Sequence, residues 1–145
     1  MISLVILFVI LFIVVIAHET GHFLVAGLLG RPISSVEIGT GPLLCQFQYR
    51  SSIWFRVHLV PMSGNIKLVY LSKKPWKNIA VFAAGPLANF VLAASAWFVW
   101  WDLAVCSLVI GLINCIPFKE SDGSGIAKEF RKIKATAVNR GQVGR

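Results

Sequence analysis

Ile16-Ala17-His18-Glu19-Thr20-Gly21-His22-Phe23-Leu24 sets two imidazoles and a carboxylate into a run that is otherwise hydrocarbon. From Ile2 to Leu29 the chain is almost wholly apolar. As a helix it would be about 40 Å long at ~1.5 Å per residue, enough to cross a bilayer core of about 30 Å with some tilt. An ionisable group inside such a span costs roughly 2.5 kcal/mol or more, so each needs a partner or a function. On a helix His18 and His22 stand one turn apart on the same face and can reach one metal ion, with Glu19 beside that face. Zinc-dependent hydrolysis needs such a set. Zinc takes nitrogen and oxygen ligands, keeps a position open for water and lowers that water's pKa to about 7, and a carboxylate accepts the proton. The plainer reading is a helix bundle in which these groups only hydrogen-bond to one another.

Working outward, 145 residues allow one domain, and 57% hydrophobic content with a mean hydropathy of +0.75 places most of it in lipid. Three stretches fit membrane spans, about 2–29, 76–101 and 103–117, with a β-rich loop over 31–74 and a basic tail over 118–145. The expected fold is therefore an α-helical membrane protein of three transmembrane helices, with a small β-hairpin sheet between the first and second. The net charge of +8 does not point to nucleic acid, because the fourteen Lys and Arg are segregated: seven lie between Arg31 and Lys77 and seven from Lys119 onward. With three spans both segments share one side, and the positive-inside rule makes it the cytoplasm, with the N-terminus outside. Basic charge then reports topology and attraction to anionic headgroups of the lipid bilayer. The expected setting is a prokaryotic cell membrane.

A cleaved signal peptide ending at Val15-Ile16-Ala17 is disfavoured. There is no basic n-region, the apolar run continues past the site, and cleavage would cut the helix just before His18. Cys45, Cys106 and Cys115 form no C-x-x-C pair and are odd in number, so free, buried thiols are expected.

Gly27, Gly30 and Pro32 end the first helix. Polar and apolar residues then alternate through Cys45-Gln46-Phe47-Gln48-Tyr49-Arg50 and, after Ser51-Ser52, through Phe55-Arg56-Val57-His58-Leu59, which reads as a hairpin. Pro61-Met62-Ser63-Gly64-Asn65 has turn chemistry, and Ile66–Tyr70 reads as a third short strand. His58 falls on a polar strand face, away from metal. Such a sheet could simply cap the membrane surface. It could also serve a substrate: a transmembrane helix shields its own amides, so a protease must unwind it, and a strand edge would bind the freed backbone. Arg56 to Tyr70 is the segment expected to do so.

Lys73 to Lys77 with Trp76 marks a membrane surface. The second span carries Gly85-Pro86-Leu87-Ala88-Asn89, where Pro86 predicts a kink or local opening and the alanines permit close helix packing. Asn89 either bridges helices or orients a zinc ligand or the substrate backbone. Trp97, Trp100 and Trp101 form the opposite aromatic belt, and a reversal is expected near Asp102. The third span would be only about 21 Å long, ended by Pro117. An irregular, polar Phe118–Gly125 would then admit water and bring Asp122 or Glu120 back to the level of His18 and His22 as a third ligand.

Four matches, in order, resemble the site-2 protease family of intramembrane zinc metallopeptidases. His18-Glu19-Thr20-Gly21-His22 is similar to its zinc helix, and Pro61–Lys67 to its Gly-rich strand. Gly85-Pro86-Leu87-Ala88-Asn89 is similar to its middle helix, and Asn114-Cys115-Ile116-Pro117 leading to Asp122-Gly123 to its third-helix motif. The resemblance implies one Zn2+ held by His18, His22 and Asp122, in preference to Glu120, with Glu19 as catalytic base. It further implies Asn89, Asn114, Gly64 and Asn65 at the substrate, and cleavage of membrane-anchored protein substrates on the cytoplasmic side. Lys119 and Ser124 depart from the family's usual proline and second glycine. The form is minimal, without a PDZ or CBS module, which leaves room for a partner membrane protein. Two other readings use the same residues: a catalytically inactive relative acting as a substrate-binding adaptor, and a metal-binding or transport protein. Ile126, Phe130 and Ile133 fall on one face of the basic tail, suited to the membrane surface.

Overall fold

The computed structural model describes residues 3–49 and 52–143, the last six of these by backbone alone. Its elements are α1 (Leu4–Leu28), β1 (Ile33–Tyr49), β2 (Ile53–Leu68), α2 (Pro75–Ala96), α3 (Trp101–Cys115) and α4 (Asp122–Val143). The expected start at Ile2, the Arg50-Ser51 reversal and the end of the tail lie outside the described residues.

The first helix is bounded by local chemistry. The Ser3 hydroxyl accepts from Ile6 N at the N-terminus. At the other end Gly30 takes φ 64°, Gly30 N donates to Gly27 O and Arg31 N to Ala26 O, so the last carbonyls are closed off before Pro32. α1 is the central element. Its N-terminal half packs Ile10 and Val14 against Ala96 of α2 and Leu103 and Ala104 of α3. Its C-terminal half packs Ala26 against Val81 of α2 and Ile33 and Val36 of β1. His18, Glu19 and His22 lie between these two apolar clusters, all buried.

α1 and α2 are long and apolar enough to cross a membrane, and α3 is a shorter apolar helix of 15 residues. Their outward faces remain bare: Leu4 of α1 is 84% exposed, Leu87 of α2 60% and Leu112 of α3 53%. Apolar surface of that extent requires lipid or a partner. The chain reverses at Trp97–Trp100, a few residues earlier than expected, and Asp102 falls in the first turn of α3. Trp97 and Trp101 close that reversal edge to face, 4.5 Å between ring centroids. Pro86 sits inside α2, which stays helical through it.

The sheet differs from the expected hairpin plus third strand. The hairpin is present, with Cys45 opposite Val57, Phe47 opposite Phe55 and Tyr49 opposite Ile53. Residues 61–65, expected as a turn, are strand, and β2 runs on to Leu68, stopping short of Tyr70. The reason is Ile33–Ile38, which lacks clean alternation and gave no strand signal. It pairs on one side with Trp54–Val57 and on the other with Gly64–Lys67, so the Pro61–Asn65 stretch is drawn out to bring β2 to a second partner. Gly39 and Gly41, at φ 82° and 81°, let β1 bend between its two halves.

Cys45 and Cys115 are exposed and Cys106 is half-buried, all three unpaired, where buried thiols were expected. Cys45 lies on the outlying half of the sheet, and Cys115 faces outward at the end of α3.

At the crossing of α1 and α2, a Cβ on Gly21 would fall on the Ala84 carbonyl and lie 2.7 Å from Ala88 Cβ. The missing methyl lets the helices touch backbone to side chain. Gly21→Val should force them apart and lower the unfolding free energy by about 1–3 kcal/mol, measured by denaturant titration of the detergent-solubilised chain.

Candidate metal centre

One helical turn separates His18 from His22, and both rings turn inward toward α2 and α4. His18 Nε2 and His22 Nε2 lie 3.2 Å apart. Asp122, in the first turn of α4, brings Oδ2 to 3.0 Å from His18 Nε2 and Oδ1 to 3.3 Å from His22 Nε2. Glu120, the alternative carboxylate, sits at positive φ in the preceding loop and lines the same cavity without joining this cluster. The irregular segment expected over Phe118–Gly125 ends sooner, because Ser121 caps α4. Its hydroxyl accepts from Ser124 N and donates toward Ile116 O at 2.7 Å, so the helix starts at Asp122.

Hydrogen bonds on the far side of each ring settle which nitrogen faces the cluster. His22 Nδ1 donates to Val81 O at 2.7 Å, which leaves Nε2 as a bare lone pair. The side-chain amide of fully buried Asn89 reaches His18 Nδ1 at 3.1 Å through Nδ2, while its Oδ1 has no partner. With the amide turned so that Oδ1 faces the ring, Nδ1–H gains an acceptor and His18 Nε2 also presents a lone pair. Three acceptors at 3.0–3.3 Å repel one another unless a proton or cation lies among them. Donors bound tetrahedrally at about 2.0–2.1 Å from zinc stand about 3.3 Å apart. The donor set therefore fits zinc in kind and in spacing.

Glu19 is buried, and its Oε2 has no hydrogen-bond partner. It lines a cavity of about 690 Å³ together with His18, His22, Gly64, Asn65, Asn114 and Asp122. Polar side chains give this cavity the character of a water-accessible site. Gly64 of β2 runs directly over Glu19, where a Cβ would lie 2.5 Å from the Glu19 carboxyl carbon. Asn65 follows on the same stretch of strand. Asn114, at the end of α3, donates to Ile110 O at 3.0 Å and lines the cavity. His58 stays apart from the cluster, with Nδ1 donating to Gly41 O at 2.8 Å across the sheet.

Two contributors were given no role at the site by the sequence. Val81 acts through its backbone carbonyl, which any residue would offer. Gly85 packs under the imidazoles, where a Cβ would stand 2.6 Å from His18 Nε2. A glycine inside an apolar helix marks such a close approach, and that was the available clue.

The Peptidase family M50 model matches residues 6–102. A Chlamydia pneumoniae protein provisionally named a zinc metalloprotease is 32% identical over 142 aligned positions, covering 77% of this chain and 22% of its own length. Protease RseP of Yersinia pestis is 30% identical over 119, covering 70% of this chain and 26% of its own. The site-2 protease from Methanocaldococcus jannaschii superposes with a TM-score of 0.61 at 22% identity, over 88% of this chain and 55% of that one. The chain spans less than two fifths of the length of the curated relatives it matches.

Asn89→Ala should weaken zinc binding about 10–100-fold, the usual cost of losing a group that orients a ligand. Asn89→Asp, which keeps an acceptor, should lose less, as read by chelator competition.

Proposed function

From the premise that the chain belongs to peptidase family M50, we propose that it is an intramembrane zinc metalloprotease. It would hydrolyse a peptide bond within or beside the transmembrane segment of a membrane-anchored substrate. The observation that carries this reading is one cavity holding three converging donors, at 3.0–3.3 Å from one another, and a buried carboxylate oxygen without a partner.

His18, His22 and Asp122 would hold the zinc. When bound, zinc supplies Lewis acidity, making a water acidic near neutral pH and drawing electron density from a carbonyl. Glu19 Oε2 takes the proton of the attacking water as its oxygen bonds to the carbonyl carbon. The same oxygen then passes that proton to the amide nitrogen as the C–N bond breaks. Asn89 and the Val81 carbonyl keep both rings in the tautomer that leaves Nε2 free. Apolar packing on either side of the cluster limits solvent to the cavity.

Substrate recognition follows from the sheet. Arg56 and Val57 are paired on both sides, to Glu37 and Ile38 and to Gln46 and Cys45, so they offer no free edge. Among the described residues Gly64–Lys67 pairs only with Ser35–Ile38, and Gly64, Asn65 and Ile66 line the cavity that holds Glu19. This stretch is the edge that receives an unwound substrate backbone, a narrower segment than the sequence indicated. Asn65 and Asn114 supply polar contacts beside it. The site faces the cytoplasm, with residues 31–77 and the C-terminal helix on that side and the N-terminus outside, in keeping with the positive-inside rule.

Reconstituted with a single-span substrate, the wild-type chain should cut, and Glu19→Gln should bind zinc but lose at least about 100-fold in rate. Equal cleavage by both overturns the mechanism, and capture without any cut favours the adaptor. Separately, of Asn65→Pro and Ile66→Pro, whose amides point to opposite sides of the strand, the one that removes the outward donor should abolish cleavage with zinc content intact. Unchanged cleavage by both variants would rule out strand addition there.

A further inference from the structure

Glu129 lies in the middle of α4, where Lys128 and every residue from Phe130 to Ala137 are exposed, yet it is itself only 2% exposed. It is the last buried residue along that helix among those whose side chains are described. Its carboxylate accepts from Asn78 Nδ2 at 3.1 Å through Oε2 and from Lys132 Nζ through Oε1. Asn78 is itself buried at the start of α2. Its Oδ1 accepts from Ser72 N at 2.8 Å and its Nδ2 also donates to Ser72 O at 2.9 Å. A surface pair between Glu129 and Lys132 on one helix would need none of this. Burying a carboxylate is costly unless its acceptors are filled, so these partners define one seat for it.

The seat lies in register with the metal cluster. Four residues on from Asn78, the Phe82 ring covers Gly125, four residues back from Glu129, where a Cβ would lie 2.9 Å from the ring. Three residues further, Gly85 packs against the imidazole nitrogens, and three back on α4 stands Asp122, bonded to those same nitrogens. α4 is thus laid antiparallel along α2 in matched steps, and Asp122 and Glu129 lie two turns apart on one face.

We propose that Glu129 is a positioning residue: clasped by Asn78, it fixes the register of α4 on α2 and thereby sets Asp122 beside His18 and His22. This rests on the metal-centre reading above. Asp122 follows a short non-helical loop, so its placement needs a second anchor, and the clasp supplies it about 10 Å further along the helix.

The test uses the purified full chain in detergent, loaded with Zn2+ or Co2+. Glu129→Ala and Asn78→Ala should each lower Zn2+ affinity about 10–100-fold by chelator competition. Each should also shift the visible Co2+ absorption toward that of Asp122→Ala. Phe130→Ala, one residue along and 57% exposed, should change neither. Asn78→Asp sets two carboxylates against each other and should weaken binding; adding Glu129→Gln restores a donor to that pair and should recover it. This reciprocal pair decides the matter if Glu129→Ala does not fold. Wild-type affinity and spectrum in Glu129→Ala, or a double variant no better than Asn78→Asp alone, overturns the clasp. A wild-type chain that takes up neither ion overturns the metal centre itself, and the clasp's role with it.

Discussion

Unpaired acceptors buried in hydrocarbon are the constraint on which this structure turns. Two imidazole nitrogens and a carboxylate face one another at 3.0–3.3 Å between two apolar clusters. They are tolerable there only with a cation or proton among them and with every outer nitrogen bonded. α2 answers much of that need: it offers the Val81 carbonyl to His22, the Asn89 amide to His18, and a glycine where the rings must fit. Ser107 of α3 in turn donates to the Asn89 carbonyl at 2.9 Å, tying the third helix to the same point. The helices are arranged around the polar cluster as much as around the apolar ones.

Much of this was legible in the sequence because the relevant signals were local. The spacing of His18 and His22, the length of the apolar runs and the Pro117 stop each follow from a helix period or a backbone rule. Asp122 and Glu120 could not be separated by such rules, since they stand two residues apart after Pro117 and only the Ser121 cap decides where the loop ends and α4 begins. Ile33–Ile38 was missed because Ser34-Ser35 interrupts any alternation, and because both faces are covered there: the neighbours Ser35 and Val36 are both buried. Its presence also converts Pro61–Asn65 from turn into strand. The partnership of Asn78 with Glu129 is equally silent in sequence, joining residues 51 apart that look like ordinary surface polar groups.

The two roles of the sheet meet at one strand. Its interior stretch is stapled by Glu37, which accepts from Arg56 at 3.0 Å and Lys67 at 2.9 Å. The hydrogen bonds from these two cations, Lys67's foremost, hold the Glu37 carboxyl below its usual range. The outer stretch, paired on one side among the described residues, lines the cavity through Gly64, Asn65 and Ile66. Gly64 lets the strand lie directly against the Glu19 carboxyl, so the proposed base and the backbone that would carry a substrate are set by the same close contact.

The brevity of α3 has a consequence for the lipid itself. Fifteen residues give a cylinder of about 22 Å, against a hydrocarbon slab of about 30 Å. With α3 set in the bilayer as proposed, acyl chains meeting that flank would compress or tilt to avoid wetting their methylenes, a hydrophobic mismatch. Thinning at that flank would fall beside the end of α3, where Asn114 lines the cavity, and would shorten the route that solvent travels from the interface.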